Sequence, residues 1–274
     1  LGLEAEPAAR PSWSPDGSLV AFTRPGFRGL WVMTPGGTSR QISDSPGVGF
    51  GYAWSPDGTA IATRTAREEG TQRVHALEVV SLDGAVRELT DERLEMAGLP
   101  RWVGTGHVAL ASRAGLEVVA LGDDALLLDE PVALFSRGRL VIGEPSTGTT
   151  RSVGPTSAFN VTPSPDGQRV AFEVLGGNLF VSDLEGGNLV DLGPGGAPTW
   201  SPDGEWIAFA ATQDDGHHIT ASDLIAVRTD GSARVTLTST VDRLEVDPSW
   251  SPDGSRLAFV DLEDGALYAL TLAQ

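Results

Sequence analysis

Apolar residues in this chain come in runs of three to five, separated by polar turns rich in Gly, Pro, Asp and Ser. Short apolar runs bounded by such turns predict strands, and no segment shows the 3.6-residue apolar period of a helix. The runs are also repeats. PSWSPDGSLVAF from Pro11, YAWSPDGTAIAT from Tyr52, PTWSPDGEWIAF from Pro198 and PSWSPDGSRLAF from Pro248 are near-copies of one another. VTPSPDGQRVAF from Val161 lacks the Trp, and PRWVGTGHVALA from Pro100 is a degraded sixth copy.

Each unit reads as a short strand ending at Trp, a Ser-Pro-Asp-Gly turn, and an apolar strand such as 19–22 or 257–260. Pro presets φ at the second turn position, Asp accepts from nearby amides, and Gly tolerates the positive φ that reverses the chain. The repeated Asp16, Asp57, Asp166, Asp203 and Asp253 are therefore expected to serve turns, because a residue demanded in nearly every unit is not a singular catalytic group. A third strand is expected at 30–33, 77–80, 179–181 and 224–227, followed by another Gly-bearing turn and a fourth strand. Four antiparallel strands recurring roughly every 36 to 50 residues predict an all-β fold, a closed propeller of four-stranded blades.

The two ends predict how the ring closes. The last unit runs out after its third strand, 266–270, and the opening LGLEAE fits the missing fourth. Such a closure leaves only short protected edges. The blade count turns on the 62 residues from Trp102 to Ser164. There, 132–153 reads as the second, third and fourth strands of a further blade whose turn has eroded, which favours seven blades. Only ALLLD, from Ala125, remains to serve as the last strand of one blade and the first of the next, so six blades with an insertion stay open. Either count makes residues 1–274 one propeller domain.

Composition narrows the function. The formal charge is −18 from 37 acidic and 19 basic residues, and every basic residue is Arg. A polyanion meets net repulsion, and no basic stretch supplies the counterion release that drives nucleic-acid binding. With no Cys, disulfides, thiolate metal sites and cysteine nucleophiles are excluded. No stretch approaches the roughly 20 apolar residues of a helical membrane span, and the start of the chain lacks the regions of a signal peptide, as expected of a mature or excised piece.

WSPDG followed by an IAF-like strand, an LWVM-like strand, a DG turn and RELT or RVTLT resembles the TolB-type propeller repeat, over essentially the whole chain. It is also similar to the propellers of prolyl-oligopeptidase-type peptidases. The resemblance implies an extracytoplasmic bacterial protein, periplasmic or extracellular, whose propeller docks other proteins. The blades begin by Pro11, so the expectation is a propeller without the helix-containing N-terminal domain of TolB, and no GxSxG elbow marks a hydrolase.

Function is expected on the face that carries the variable loops and blade crossovers, at 24–29, 45–52, 64–74, 92–101, 213–222 and 241–247. Candidate binding residues there are Phe27, Arg28, Phe50, Tyr52, Arg93, Glu95, Met96, Arg101, Phe159, Asp215, His217, Arg243 and Asp247. Mixed charge around exposed apolar residues suits a protein-binding rim. Asp214, Asp215, His217 and His218 form the one singular cluster of metal-ligand types, although adjacent His side chains in an extended loop point apart. His75 and His107 are isolated. Trp13, Trp54, Trp200 and Trp250 read as packing between blades. The expectation is a monomeric, non-catalytic protein- or peptide-binding propeller without a cofactor. Two alternatives remain: a ligand-sensing propeller of a larger receptor or kinase, and an enzyme, hydrolase or lyase, with its site at the channel mouth.

Overall fold

The computed structural model describes residues 2–4, 7–94, 98–112, 114–122, 130–136 and 138–272. Every regular element among them is a strand, and the strands form seven antiparallel sheets, the blades of a propeller. Blade 1 runs from the channel outward as Ala9–Trp13, Val20–Arg24, Arg28–Met33 and Ser39–Ser43. Blades 2, 5 and 6 repeat that order, with innermost strands Tyr52–Trp54, Ala158–Pro163 and Gly196–Trp200. Blade 7 takes three strands from the C-terminal end of the chain and its outermost, Gly2–Glu4, from the N-terminal end. The ring closes there as its sequence predicted.

Four strands per blade does not hold throughout. Blades 3 and 4 have three described strands each, the latter being Val132–Ser136, Arg139–Glu144 and Thr149–Val153. Those are the three strands expected at 132–153, and ALLLD from Ala125 lies outside the described residues. Two segments expected to be loops are instead long hairpins: Ala60–Glu69 pairs with Gln72–Ser81, and Trp206–Asp214 with Ile219–Arg228. Polar side chains hide such extensions from a reading by apolar runs. Here Glu68 faces Arg73 directly across the ladder at 3.3 Å, the opposite-charge pairing that supports an exposed hairpin.

Seven apolar clusters sit between adjacent blades, one at each interface of the ring. The repeat residues build the joints. Trp13, Trp54, Trp102 and Trp200 each donate their indole N–H to a carbonyl on the innermost strand of the preceding blade, at 2.9–3.1 Å. Ser14, Ser55, Ser164, Ser201 and Ser251 each donate to the Asp two residues on, at 2.5–2.6 Å, and accept the amide five residues on. The Ser14 and Ser251 hydroxyls first, and then the amides and hydroxyls of Ser18 and Ser255, pull the Asp16 and Asp253 carboxyls down to about 2. The turn glycines have φ near +70°, and a Cβ placed on Gly17, Gly58, Gly204 or Gly254 would sit 3.5–3.8 Å from a turn Pro of the preceding blade or, at Gly204, 3.4 Å from Arg169.

Blade 5 shows what these residues are for. Its predecessor, blade 4, has no Ser-Pro-Asp-Gly hairpin and no further inner strand among its described residues, so none of them offers the inner-strand carbonyl that a Trp at position 163 would meet. Pro163 stands there instead, and Gly167 has nothing within 4 Å of where a Cβ would point.

Candidate functional site

The Ser-Pro-Asp-Gly turns lie on one face; the second-to-third-strand loops and the crossovers lie on the other. On that second face four innermost strands open with the same distortion. Arg10, Asn160, Ala197 and Asp247 stand three residues before the Trp position of their repeats, and each has positive φ, between +46° and +54°. Each coincides with a register shift against the next strand, a β-bulge. Left-handed backbone costs a non-Gly residue energy and persists only where the surroundings fix it. Here the bonds are specific. Asp247 accepts the Arg10 amide at 3.0 Å, while Glu173 accepts the Asn160 side-chain amide at 2.7 Å and the Ala197 amide at 2.6 Å. Burial raises the Glu173 carboxyl above its ordinary range against the pull of those two donors.

These residues ring a funnel at the channel mouth, a cavity of about 490 Å³ whose wall also holds Phe50, Arg64, Leu99, Arg101, Phe135 and Phe159. Phe27 and Phe50 meet edge to face at 5.1 Å between centroids. Arg10 covers both rings, at 5.1 and 5.8 Å, and Arg64 covers Phe50 at 4.4 Å. The Arg10 guanidinium also donates to the Phe50 carbonyl at 2.6 Å. Beyond Phe50 and Arg64 the funnel opens into a groove over blades 1 and 2, lined by Arg24, Phe27, Arg28, Trp31, Arg67, Arg73 and His75.

Arg101 reaches from blade 3 to blade 5. It belongs to the innermost strand of blade 3, Arg101–Val103, and donates to the Val161 carbonyl of blade 5 at 2.7 Å. Among the described residues blade 4 puts no strand between Val132–Ser136 and the funnel, so the guanidinium spans that position and Phe135 reaches the wall. Burial lowers the Arg101 guanidinium below its ordinary value. Burial also lowers Arg64, beside Arg73, and lowers His75, beside both arginines.

Of the candidates named from sequence, Phe50, Arg101, Phe159 and Asp247 line the funnel, and Phe27 and Arg28 line the adjoining groove. Tyr52 turns inward, its hydroxyl donating to the carbonyls of Arg10 and Ala21, and burial raises its pKa. Arg93 pairs with Glu117 and bridges to the His75 backbone. Arg243 covers the Tyr268 ring at 4.2 Å and faces Asp261 at 3.7 Å. Glu95 and Met96 lie outside the described residues. Asp214, Asp215, His217 and His218 cap an exposed hairpin, with both Asp side chains accepting amides of that turn. Among the described residues no group of three or more His, Cys, Asp or Glu is placed to hold a metal. Arg64 opens the 64–74 segment expected to carry function, whereas Arg10, Asn160, Ala197, Glu173 and Phe135 were not anticipated. The signal for three of them was present, since each stands three residues before a repeated Trp or its Pro substitute.

No family model matches the sequence, and no curated protein does. In fold, the chain is similar to TolB from Acinetobacter baumannii, at 17% identity and a TM-score of 0.61, covering 90% of this chain and 57% of that one. It is similar to the propeller domain of Myceliophteria thermophila Cps50 (Swd1), at 12% identity and a TM-score of 0.68, covering 100% and 98%. It is also similar to a chain of the mitotic checkpoint complex, at 15% identity and a TM-score of 0.67, covering 100% and 91%. The fold is that of a TolB-like propeller. No helix among the described residues is long and apolar enough to cross a membrane.

Proposed function

We propose that this chain is a non-catalytic docking propeller that binds another protein through its variable-loop face, with the funnel and the groove of blades 1 and 2 as the contact. A monomer of the bacterial cell envelope, extracytoplasmic as the TolB resemblance implies, is part of the same proposal. The observation that carries it is the Phe27–Phe50 pair at the junction of the two depressions, an apolar platform whose Phe50 ring is 38% exposed. Exposed apolar side chains mark interaction surfaces when they cluster on one face. Of the eight large exposed ones among the described residues, Phe50, Leu94, Leu175, Val241 and Leu262 all sit in variable loops or crossovers.

The test is a pull-down from a bacterial envelope extract with the native chain and a Phe27→Ser, Phe50→Ser variant as baits. A protein retained by the native chain and lost from the variant is the expected result. Equal retention by both, or none by either, overturns the proposal.

A further inference from the structure

The chain carries a charge of −18, yet guanidiniums gather where its funnel and groove meet. Arg10, Arg64 and Arg101 line the funnel, and Arg24 and Arg28 continue along the groove. Charge of that sign against the sign of the whole molecule is a local arrangement. Three of these groups are also unneutralised. Arg10, Arg28 and Arg101 donate to backbone carbonyls, those of Phe50, Pro25 and Val161, and no carboxylate lies within ion-pair distance of them among the described residues. A carbonyl bond fixes a guanidinium in place but leaves its charge, and its remaining N–H donors, available to an anion.

We infer that the partner segment received here is acidic: an Asp or Glu side chain placed on Arg101 and Arg10 in the funnel, with a neighbouring aromatic or aliphatic side chain packed on Phe50, Phe135 and Phe159. This rests on the docking reading and specifies the chemistry of its partner. The funnel's volume, about 490 Å³, suits a short peptide segment. The aromatic faces are held by the Arg10 and Arg64 guanidiniums, which leaves ring edges and guanidinium edges for a ligand that is apolar and carboxylate-bearing at once. Asp247 stands at the same wall and Glu173 lies behind it, bonded to the Ala197 amide, so a chain of closely spaced phosphates is a poorer match than one or two carboxylates. Remote acidic residues do not cancel the local field, because at physiological salt exposed charges are screened beyond about 8 Å.

The test uses the whole chain and a fluorescein-labelled amidated hexapeptide, Gly-Phe-Glu-Phe-Asp-Gly, read by fluorescence anisotropy. A Gln/Asn isostere, the same isostere with a free terminal carboxylate, and a single-stranded oligothymidine are the comparison probes. Saturable binding of the acidic peptide, about tenfold or more tighter than of each comparison probe, is expected. Arg10→Gln and Arg64→Gln should each weaken it about tenfold, whereas Arg87→Gln on the opposite face should leave it unchanged. Because Arg101 also bonds across the ring, Arg101→Gln is read only alongside its melting curve, and the two other variants decide. Equal binding of the acidic peptide and its isostere overturns the inference while leaving the docking proposal standing. So does preference for the free terminus or the oligonucleotide, or no binding of the acidic peptide up to about 1 mM.

Discussion

Replacing Asp16 by alanine separates a turn residue from a ligand-binding one. Its carboxylate accepts from the Ser14 hydroxyl at 2.6 Å, the Ser18 amide at 3.0 Å and the Ser18 hydroxyl at 2.8–2.9 Å. Ser14 is 1% exposed, so its hydroxyl has no water to turn to, but it retains a weaker acceptor in the Leu19 carbonyl at 3.2 Å. A hydrogen bond to a charged acceptor contributes about 1.5–3 kcal/mol, and solvent around the exposed carboxylate moves the expectation to about 1–2 kcal/mol. For a chain of this size that lowers Tm by roughly 2–4 °C. The pH dependence follows. The folded pKa, about 2, lies below the ordinary value, so the stabilisation is present above about 4 and is lost as pH falls through 2. Thermal melts of wild type and Asp16→Ala at pH 7, 5 and 3 should show a gap that is constant between the first two and narrows at the third. An unchanged Tm together with abolished partner binding would refute the turn assignment and return the five repeated aspartates to the list of functional groups.

Other joints make separate predictions. Trp54→Phe strands the Ser12 carbonyl and should cost about 1–2 kcal/mol in a denaturant titration, whereas Trp250→Phe should cost less because the Trp250 indole N–H has no partner. Glu245 is 1% exposed, and burial, with Asp223 and Asp261 nearby, raises its pKa. A raised folded pKa stabilises below the unfolded value and ceases to as pH climbs through the folded one, so Glu245→Gln should melt higher than wild type at pH 8 and converge with it by pH 4. Ala197→Gly, at φ +54°, should be neutral or stabilising by up to about 1 kcal/mol in the same melts, against the usual cost of such a change; a clear loss would show that the backbone there is not strained.

The sequence revealed the ring because its joints are written in residue types: Trp to reach the previous blade, Ser and Asp to close a turn, Gly where φ is positive. The long hairpins of blades 2 and 6 escaped because exposed strands are held by cross-strand polar pairs such as Glu68 and Arg73, which have no apolar period. The funnel was half legible. Phe50 and Asp247 stood out as aromatic and charged residues in crossovers and Arg64 fell in the 64–74 segment, but Glu173 lay in an apolar strand. Tyr52 was misplaced because an aromatic at a crossover looks the same whether it faces the mouth or, as here, braces two carbonyls beneath it.

What distinguishes this propeller is where its repetition fails. An unbroken ring of seven identical innermost strands would give the funnel a uniform wall and no preferred direction. Among the described residues blade 4 puts no strand there, and departures from the repeat accompany it: Pro163 stands at the Trp position of blade 5, Gly167 has no described atom within 4 Å of where a Cβ would point, Phe135 lines the funnel, and Arg101 donates across to the Val161 carbonyl. Among the described residues Arg101 meets a carbonyl and no carboxylate, and a buried guanidinium so placed adds little stability. Its place at the funnel wall is therefore better accounted for by what the funnel holds than by what the fold needs. A partner carboxylate supplies the missing counter-charge, so seating it should raise the protein's stability most when Arg101 is intact. If the acidic peptide raises Tm equally in wild type and Arg101→Gln, the guanidinium is a filler of the gap and nothing more.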